Sequence, residues 1–178
     1  HKQYSRLAEA LCQGRLSIDA GSEEIVAALS AMENPYDTDL RQGIPGIDSV
    51  WDTCYYQGRF YVYFGIVPVL VFYLPYYILF HGAFPTWFAV FLSAAGAFGG
   101  VFYLLGQIRR KWFQKIPYLL YLILATVMGN GMLLACAMLR AEFYWLPLLL
   151  SLAFSLWGLG LVLSGVRCWE EERGHCGL

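Results

Sequence analysis

Three long apolar blocks dominate the second half of the chain: Ala83–Gly106, Ile116–Leu139 and Phe143–Val166. None of them contains an Asp, Glu, Lys or Arg. Each is longer than the ~20 apolar residues with which an α-helix crosses the ~30 Å hydrocarbon layer of a bilayer. A core helix of a soluble protein normally keeps a polar face, which these blocks lack. The pattern therefore predicts three transmembrane helices within residues 83–166 of a multi-pass protein of the cell membrane.

A fourth apolar block, Phe60–Phe80, is long enough to span but is interrupted by Gly65, Pro68 and Pro75 and is rich in tyrosine. Proline removes a backbone donor and bends a helix. Tyrosine rings concentrate at the headgroup level of a bilayer. Two interpretations follow from these residues: an ordinary kinked transmembrane helix, or an interfacial or re-entrant helix over residues 60–80.

The segment Gln107–Lys115 sets the orientation, because it holds four basic residues and no acidic one. Short loops rich in Lys and Arg stay in the cytoplasm. We therefore expect the first long block to run from outside to inside and the link Arg140–Glu142 to lie outside. Residues 167–178 are then a cytoplasmic tail or loop. Residues 1–59 lie outside the cytoplasm only if residues 60–80 do not span.

Residues 1–59 form a polar segment that holds nine of the thirteen acidic residues. Apolar positions at helical spacing predict a helix over Tyr4–Gly14. Ser22 is a candidate N-cap for a second helix that runs to about Met32, and Gly58 indicates a tight turn. The predicted fold class is all-α: a polytopic membrane helical protein whose N-terminal extracytoplasmic loop contains short juxtamembrane helices.

Composition narrows the partners. Hydrophobic residues make up 58% of the chain and the net charge is −1, so the bilayer is an expected partner and nucleic acid is not. No metal site is predicted, because Cys168, His175 and Cys176 lack a fourth ligand. The chain begins at His1 inside a polar stretch, which suggests a fragment of a longer protein.

Several of these residues carry a family resemblance. The run ENPYD at 33–37 with Arg41, the WD at 51–52, and YYQGRFYVYFGIVPVLVFYLPYY at 55–77 resemble bacterial membrane glycosyltransferases of the GT-C type. The similarity is to the branch of protein mannosyltransferases and aminoarabinose transferases. It implies a large first extracytoplasmic loop with helices along the membrane. Residues 1–59 would then lie outside, with residues 60–80 in the interface.

The resemblance also implies a reaction, the transfer of a sugar from a polyprenyl-phosphate carrier to an extracytoplasmic acceptor. Such a transfer needs a carboxylate that activates the acceptor hydroxyl and cations beside the leaving phosphate. Asp37 and Asp52 are the candidate catalytic carboxylates. The candidate substrate-binding residues are Arg41, Arg59, Arg140, Tyr36 and Tyr56.

Each assignment has a structural alternative. Asp37 could serve only the Asn-Pro-Tyr turn, and Arg59 could only extend its charge to the membrane edge. The family places an acidic motif shortly after its first helix, whereas no acid precedes Glu9 here, so the catalytic base could lie upstream of His1. Cofactors are unknown. The alternative function is a non-enzymatic multi-pass membrane protein, such as a transporter half or an assembly subunit.

Overall fold

The computed structural model describes residues 3–50, 52–131 and 144–176, and the chain divides into two compact units, His1–Phe84 and Pro85–Leu178. The described residues are mostly helical with few strands. The helical part of the predicted fold class is therefore confirmed. The strands of the first unit are a correction to the all-α prediction.

The first unit begins with three short helices: α1 (Gln3–Cys12), α2 (Glu23–Ser30) and α3 (Thr38–Gln42). The predictions of α1 and α2 are confirmed. Ser22 caps α2, because its Oγ accepts a hydrogen bond from the Ile25 amide at 3.4 Å. Such a cap satisfies one of the amide groups that a helix N-terminus leaves without a partner. A 3₁₀ helix at Ile47–Ser49 follows.

A three-stranded antiparallel sheet lies beside these helices, in the order β1 (Ser17–Ile18), β3 (Arg59–Tyr61), β2 (Cys54–Tyr56). Gln57 and Gly58 connect β2 to β3 and both have positive φ, 48° and 76°. Two such residues form the type I′ turn that matches the twist of a hairpin. The predicted turn at Gly58 is confirmed. The strands themselves, two and three residues long, are too short to show the alternation from which a strand is predicted.

The apolar block after the hairpin is helical only in its second half. Helix α4 covers Val69–Phe80, and residues 67 and 68 before it are also helical, so the prediction of a helix from Phe60 onwards is wrong for residues 60–66. Phe60 and Tyr61 belong to β3 instead. The first five residues of α4 are π-helical and the α-helical winding begins at Leu74. Pro75 lies at this change. Proline has no N–H to donate to the carbonyl four residues earlier, so the regular α-helical hydrogen bond is missing there.

One face of α4 packs on α1 in the core of the first unit. Val69 and Tyr73 are buried, and the Tyr73 ring lies 5.4 Å from that of Tyr4. The pKa of Tyr4 is raised, mainly because the phenol is buried and secondly because of the electrostatic effect of Tyr73. The rest of this core lies between α1, α2 and the sheet. Its buried apolar side chains include Leu7, Ala8, Ile18, Ile25, Leu29, Ile47, Val50, Tyr55 and Phe60.

The second unit contains α5 (Thr86–Trp112), α6 (Tyr118–Gly129) and α7 (Trp145–Cys176). Within the described residues, α5 and the part of α7 from Trp145 to Glu170 are long and apolar enough to cross a membrane. Helix α6 has 12 residues, about 18 Å of rise, and is too short to cross alone. Residues 132–143, which include much of the second and the start of the third predicted spans, lie outside the described residues.

Both long helices extend beyond their apolar blocks. Helix α5 continues through Gln107–Trp112, which was predicted as loop, and α7 continues through residues 167–176, which were predicted as a tail. Both predictions are wrong for the same reason. Lys, Arg, Glu and Gln are good helix formers, so a run of charges marks the end of the apolar surface and not the end of the helix.

Helices α5 and α7 run parallel and approach closely along small residues. Trp157 Nε1 donates a hydrogen bond to the Gly96 carbonyl at 2.9 Å, and the Tyr103 and Trp157 rings stack at 4.9 Å. Further along both helices, Lys111 Nζ lies 2.9 Å from Glu170 Oε1. A Cβ added at Gly100 would lie 2.8 Å from Leu156 Cβ. Gly96 and Gly100 thus lie where the two helices make close contact.

Helix α6 returns antiparallel along α5 as far as its middle. The Tyr121 hydroxyl donates to the Phe102 carbonyl at 2.8 Å, and a Cβ at Gly129 would lie 2.7 Å from the Phe98 ring. The helix ends there at the sequence Gly-Asn-Gly. Asn130 donates its side-chain amide to the carbonyl of Thr126, in its own helix, at 3.0 Å. The prediction of one uninterrupted helix from Ile116 is therefore wrong.

Candidate functional site

An open groove in the first unit brings four charged side chains together. It has a volume of about 560 Å³ and lies between β1, the start of α2 and the tip of the hairpin. Its charged residues are Arg15, Asp19, Glu23 and Arg59. A groove with two cations and two carboxylates in its lining offers charged groups to a polar ligand.

Local backbone chemistry places each wall of the groove. Strand β1 pairs with β3 through Ile18 opposite Phe60, which brings residues 17–19 beside the hairpin. Gly21 has φ +80°, and a Cβ there would lie 3.0 Å from the Phe60 ring, so only glycine fits this turn without strain. The Ser22 cap then puts Glu23 in the first turn of α2. Arg59 projects from the first position of β3 and is exposed.

Two of the four charges neutralise each other. Arg15 Nη1 and Nη2 donate to the two Asp19 carboxylate oxygens at 3.0 and 2.9 Å, a bidentate pair. These hydrogen bonds, together with the charge of Arg15, lower the pKa of Asp19, and the same contacts raise the pKa of Arg15. Arg59 and Glu23 are therefore the cation and the carboxylate of the groove best placed to meet a ligand.

The predicted residues of the ENPYD segment lie elsewhere and support the backbone. Asp37 caps α3, because its Oδ1 accepts hydrogen bonds from the amides of Asp39 and Leu40 at 3.0 and 3.2 Å. The Tyr36 hydroxyl donates to the Tyr55 carbonyl. Arg41 is only 6% exposed. The structure thus brings Tyr36, Asp37 and Arg41 together around α3, with the Asp37 carboxylate in the structural role given above as its alternative.

The structure separates Asp52 from Arg59. Arg59 pairs with Tyr56 next to the hairpin turn, whereas Asp52 precedes the other end of β2. Asp52 lies in the turn that precedes Cys54. Asp52 lies near Tyr63: partial burial, and then the charge of Asp52, raise the pKa of that phenol. Tyr56 is 62% exposed, and its hydroxyl accepts a hydrogen bond from Gln57 Nε2 at 3.3 Å.

Sequence reasoning missed the groove carboxylates Asp19 and Glu23 and the cation Arg15. Glu23 was visible only as a residue of the first turn of a helix, and Asp19 had no motif around it. Their proximity to Arg59 depends on the pairing of β1 with β3, which the sequence did not reveal. Arg140 and Trp51 lie outside the described residues.

No group of three or more His, Cys, Asp or Glu side chains that could hold a metal ion occurs among the residues that the structure describes. Comparisons with family models, with curated proteins and with solved structures found no match to this chain.

Proposed function

We propose that this chain belongs to a membrane-embedded glycosyltransferase, which moves a sugar from a polyprenyl-phosphate donor to an acceptor outside the cytoplasm. The observation that carries the proposal is the groove of the first unit. An exposed arginine, Arg59, and a carboxylate, Glu23, both line this groove, whose volume is about 560 Å³. These are the two kinds of group that a transfer from a phosphate carrier requires.

Membrane placement is supported first by the second unit. Helices α5 and α7 are each long and apolar enough to cross, and their parallel packing requires the intervening chain to return between them. The basic residues Arg109, Arg110 and Lys111 occupy the last turn of α5, which supports a cytoplasmic position for that end. The three-crossing topology predicted from the sequence is consistent with this arrangement.

The first unit supports placement at the membrane surface. Helix α4 buries Val69 and Tyr73, but the other side of residues 66–80 leaves large apolar side chains exposed. These include Ile66, Val67, Leu70, Val71, Ile78, Leu79 and Phe80. An apolar face of this extent in a polar unit marks a contact with a membrane or another protein. Only residues 81–85 separate α4 from α5 in the sequence. The exposed apolar face of α4 supports a position in the membrane interface.

The chemistry proposed for the groove is a displacement at the anomeric carbon. As the bond to the carrier breaks, negative charge grows on the leaving phosphate, and Arg59 stabilises it with paired N–H donors. Glu23 is assigned to the acceptor hydroxyl, from which it takes the proton. Asp37 and Asp52 remain predicted catalytic carboxylates. The predicted substrate-binding residues remain Arg41, Arg140, Tyr36 and Tyr56.

One observation favours the alternative, a non-enzymatic membrane protein. The Tyr36 hydroxyl bonds the Tyr55 carbonyl, Asp37 caps α3, and Arg41 is buried. Asp52 lies at the far end of the hairpin from Arg59. On this interpretation the charges of the groove only solvate the surface of the first unit. The two functions differ in what the removal of Arg59 or Glu23 does to turnover.

The test uses the full-length protein in liposomes that contain a radiolabelled polyprenyl-phosphate sugar, with transfer to acceptor as the readout. Arg59→Gln and Glu23→Gln should each lower turnover roughly 100-fold, as expected for the loss of one transition-state contact. Arg6→Gln and Glu9→Gln on α1 are the matched controls, which remove the same charges outside the groove. Both should keep the wild-type rate.

Equal rates in all four variants would remove the groove as the active site. If both groove variants stay active while Asp52→Asn loses most of its turnover, the active site lies at Asp52 and not in the groove. If the wild-type protein transfers no sugar and binds no polyprenyl phosphate, the non-enzymatic alternative replaces the transferase.

A further inference from the structure

A second cavity, in the other unit, lies between α5 and α6 at the basic end of α5. It has a volume of about 250 Å³. Its lining surface is apolar and comes from Leu105, Ile108, Phe113, Ile116 and Leu124, together with apolar parts of Arg109 and Tyr121. Whole soluble ligands usually occupy ~300–1,000 Å³. This groove therefore suits one part of a larger molecule, such as a length of acyl chain.

Arg109 is held at the rim of this groove. Its Nε donates to the Ile116 carbonyl at 3.2 Å, and its guanidinium lies 5.6 Å from the centre of the Tyr118 ring and 6.0 Å from that of Tyr121. These contacts fix the planar group across the turn that connects α5 to α6. Within the described part of the chain, this bond at Nε uses one of the five N–H donors of the guanidinium, and the two terminal nitrogens have no hydrogen-bond acceptor there.

Basic residues concentrate at the end of α5 and in the turn that follows it. Arg109, Arg110, Lys111 and Lys115 lie in a segment without an acidic residue. Lys111 is neutralised by Glu170 of α7 at 2.9 Å. Arg110 and Lys115 are exposed, and Arg110 lines a neighbouring groove together with Tyr121. Arg109 is thus the cation in the lining of the apolar groove, and Arg110 follows it in the helix.

We propose that this groove binds an anionic phospholipid, with an acyl chain against Ile108 and Leu124 and the phosphate against Arg109 and Arg110. A soluble anion would gain nothing from the apolar lining, and a zwitterionic lipid would gain little from Arg109 and the exposed Arg110. A molecule with an apolar chain below a phosphate matches both parts. The proposal rests on the membrane placement of the second unit, which belongs to the proposed function, and is independent of sugar transfer.

The test measures lipid binding to the full-length protein in nanodiscs that contain phosphatidylglycerol and phosphatidylcholine, by native mass spectrometry after release. The wild-type protein should retain phosphatidylglycerol preferentially. Arg109→Gln with Arg110→Gln should weaken that preference roughly tenfold or more, since a basic residue near an anionic surface contributes about a fivefold effect. The matched control is Lys111→Gln with Glu170→Gln, which removes two charges without changing the net charge.

A second variant tests the apolar part. Ile108→Trp fills the groove while all the cations remain, and it should also abolish the preference for phosphatidylglycerol. Unchanged preference in this variant would show that the cations act without the groove, and would overturn the proposal. Release of the lipid by millimolar inorganic phosphate, and not by a competing anionic lipid, would also overturn the proposal.

Two further outcomes separate this site from the proposed function. Extraction of the wild-type protein from membranes by alkaline carbonate would overturn the membrane placement and the lipid site together. A protein that transfers no sugar but retains phosphatidylglycerol through Arg109 and Arg110 would support the lipid site and remove the transferase.

Discussion

The two units of the chain differ in what fixes their tertiary contacts. In the first unit, polar groups select single backbone conformations: the Tyr55 hydroxyl bonds Ser30 Oγ and the Val26 carbonyl, and the Tyr36 hydroxyl bonds the Tyr55 carbonyl. In the second unit, the contact between α5 and α7 depends on the small size of Gly100 and Gly160.

The difference fits the surroundings proposed above for the two units, which are water for the first and lipid for the second. A unit in water gains from burying apolar side chains, so its polar groups serve to specify turns and caps. Helices in lipid gain nothing from burying one apolar surface against another, so close packing has to supply the attraction. The surfaces of the two units show the same difference: α7 exposes leucines, whereas the first unit exposes acidic residues.

The largest effect is expected from Gly160→Ala in α7. A Cβ at this position would lie 2.5 Å from Tyr103 Cδ1, so the added methyl group should push α7 away from α5 at a cost of about 1–3 kcal/mol. The matched control is Gly158→Ala, where nothing lies within 4 Å and alanine should stabilise the helix by up to about 1 kcal/mol. Unfolding of the full-length protein in mixed detergent micelles measures both. Equal effects would show that small size is not what fixes this contact.

Gly21→Ala tests the corresponding constraint in the first unit. Gly21 has φ +80° and its added Cβ would lie 3.0 Å from Phe60 Cε2, whereas Gly14 has φ +72° and nothing within 4 Å. Alanine in the left-handed region costs about 1–2 kcal/mol, so Gly14→Ala should show that cost alone and Gly21→Ala should show more. Hydrogen exchange at the Phe60 amide of the full-length protein is the measurement. A larger effect at Gly14 would contradict the role of the Phe60 contact.

Asp37 offers a separation of structure from catalysis. Asp37→Ala removes the cap of α3 and should destabilise the first unit by about 0.5–2 kcal/mol. Asp37→Asn keeps an equivalent cap and should leave both stability and turnover unchanged if the role of Asp37 is structural. Asp39→Ala is the matched control for charge. Normal stability with lost sugar transfer in Asp37→Asn would instead make this carboxylate catalytic.

The smallest effect concerns the pair Arg15 and Asp19 on the exposed rim of the groove. Because the pKa of Asp19 is lowered in the folded protein, the pair stabilises the fold above the ordinary carboxyl pKa of about 3.9 and loses this contribution as the pH falls through the lowered value. Arg15→Gln should return the pKa of Asp19 towards its ordinary range, with little change in stability at neutral pH. NMR titration of the Asp19 carboxyl carbon measures the shift. An unchanged pKa would show that Arg15 is not its cause.

The sequence by itself determined the features that depend on neighbouring residues. The Ser22 cap, the turn at Gly58 and the small-residue face of α5 each arise within one or two turns of chain, and all three are found in the structure. The apolar blocks also located two helices of membrane-spanning length, because hydrophobic composition reports directly on the surroundings of a segment.

Only the tertiary structure decided which charges meet. Strands of two or three residues carry no periodicity of their own and form only when another strand is present. The sheet therefore put Arg59 beside Glu23 and Asp19, and put Asp52 at the opposite end of the hairpin. The ends of the long helices were decided by the fold for a similar reason: charged residues continue a helix as readily as apolar ones, and Lys111 finds Glu170 only because α5 and α7 pack in parallel.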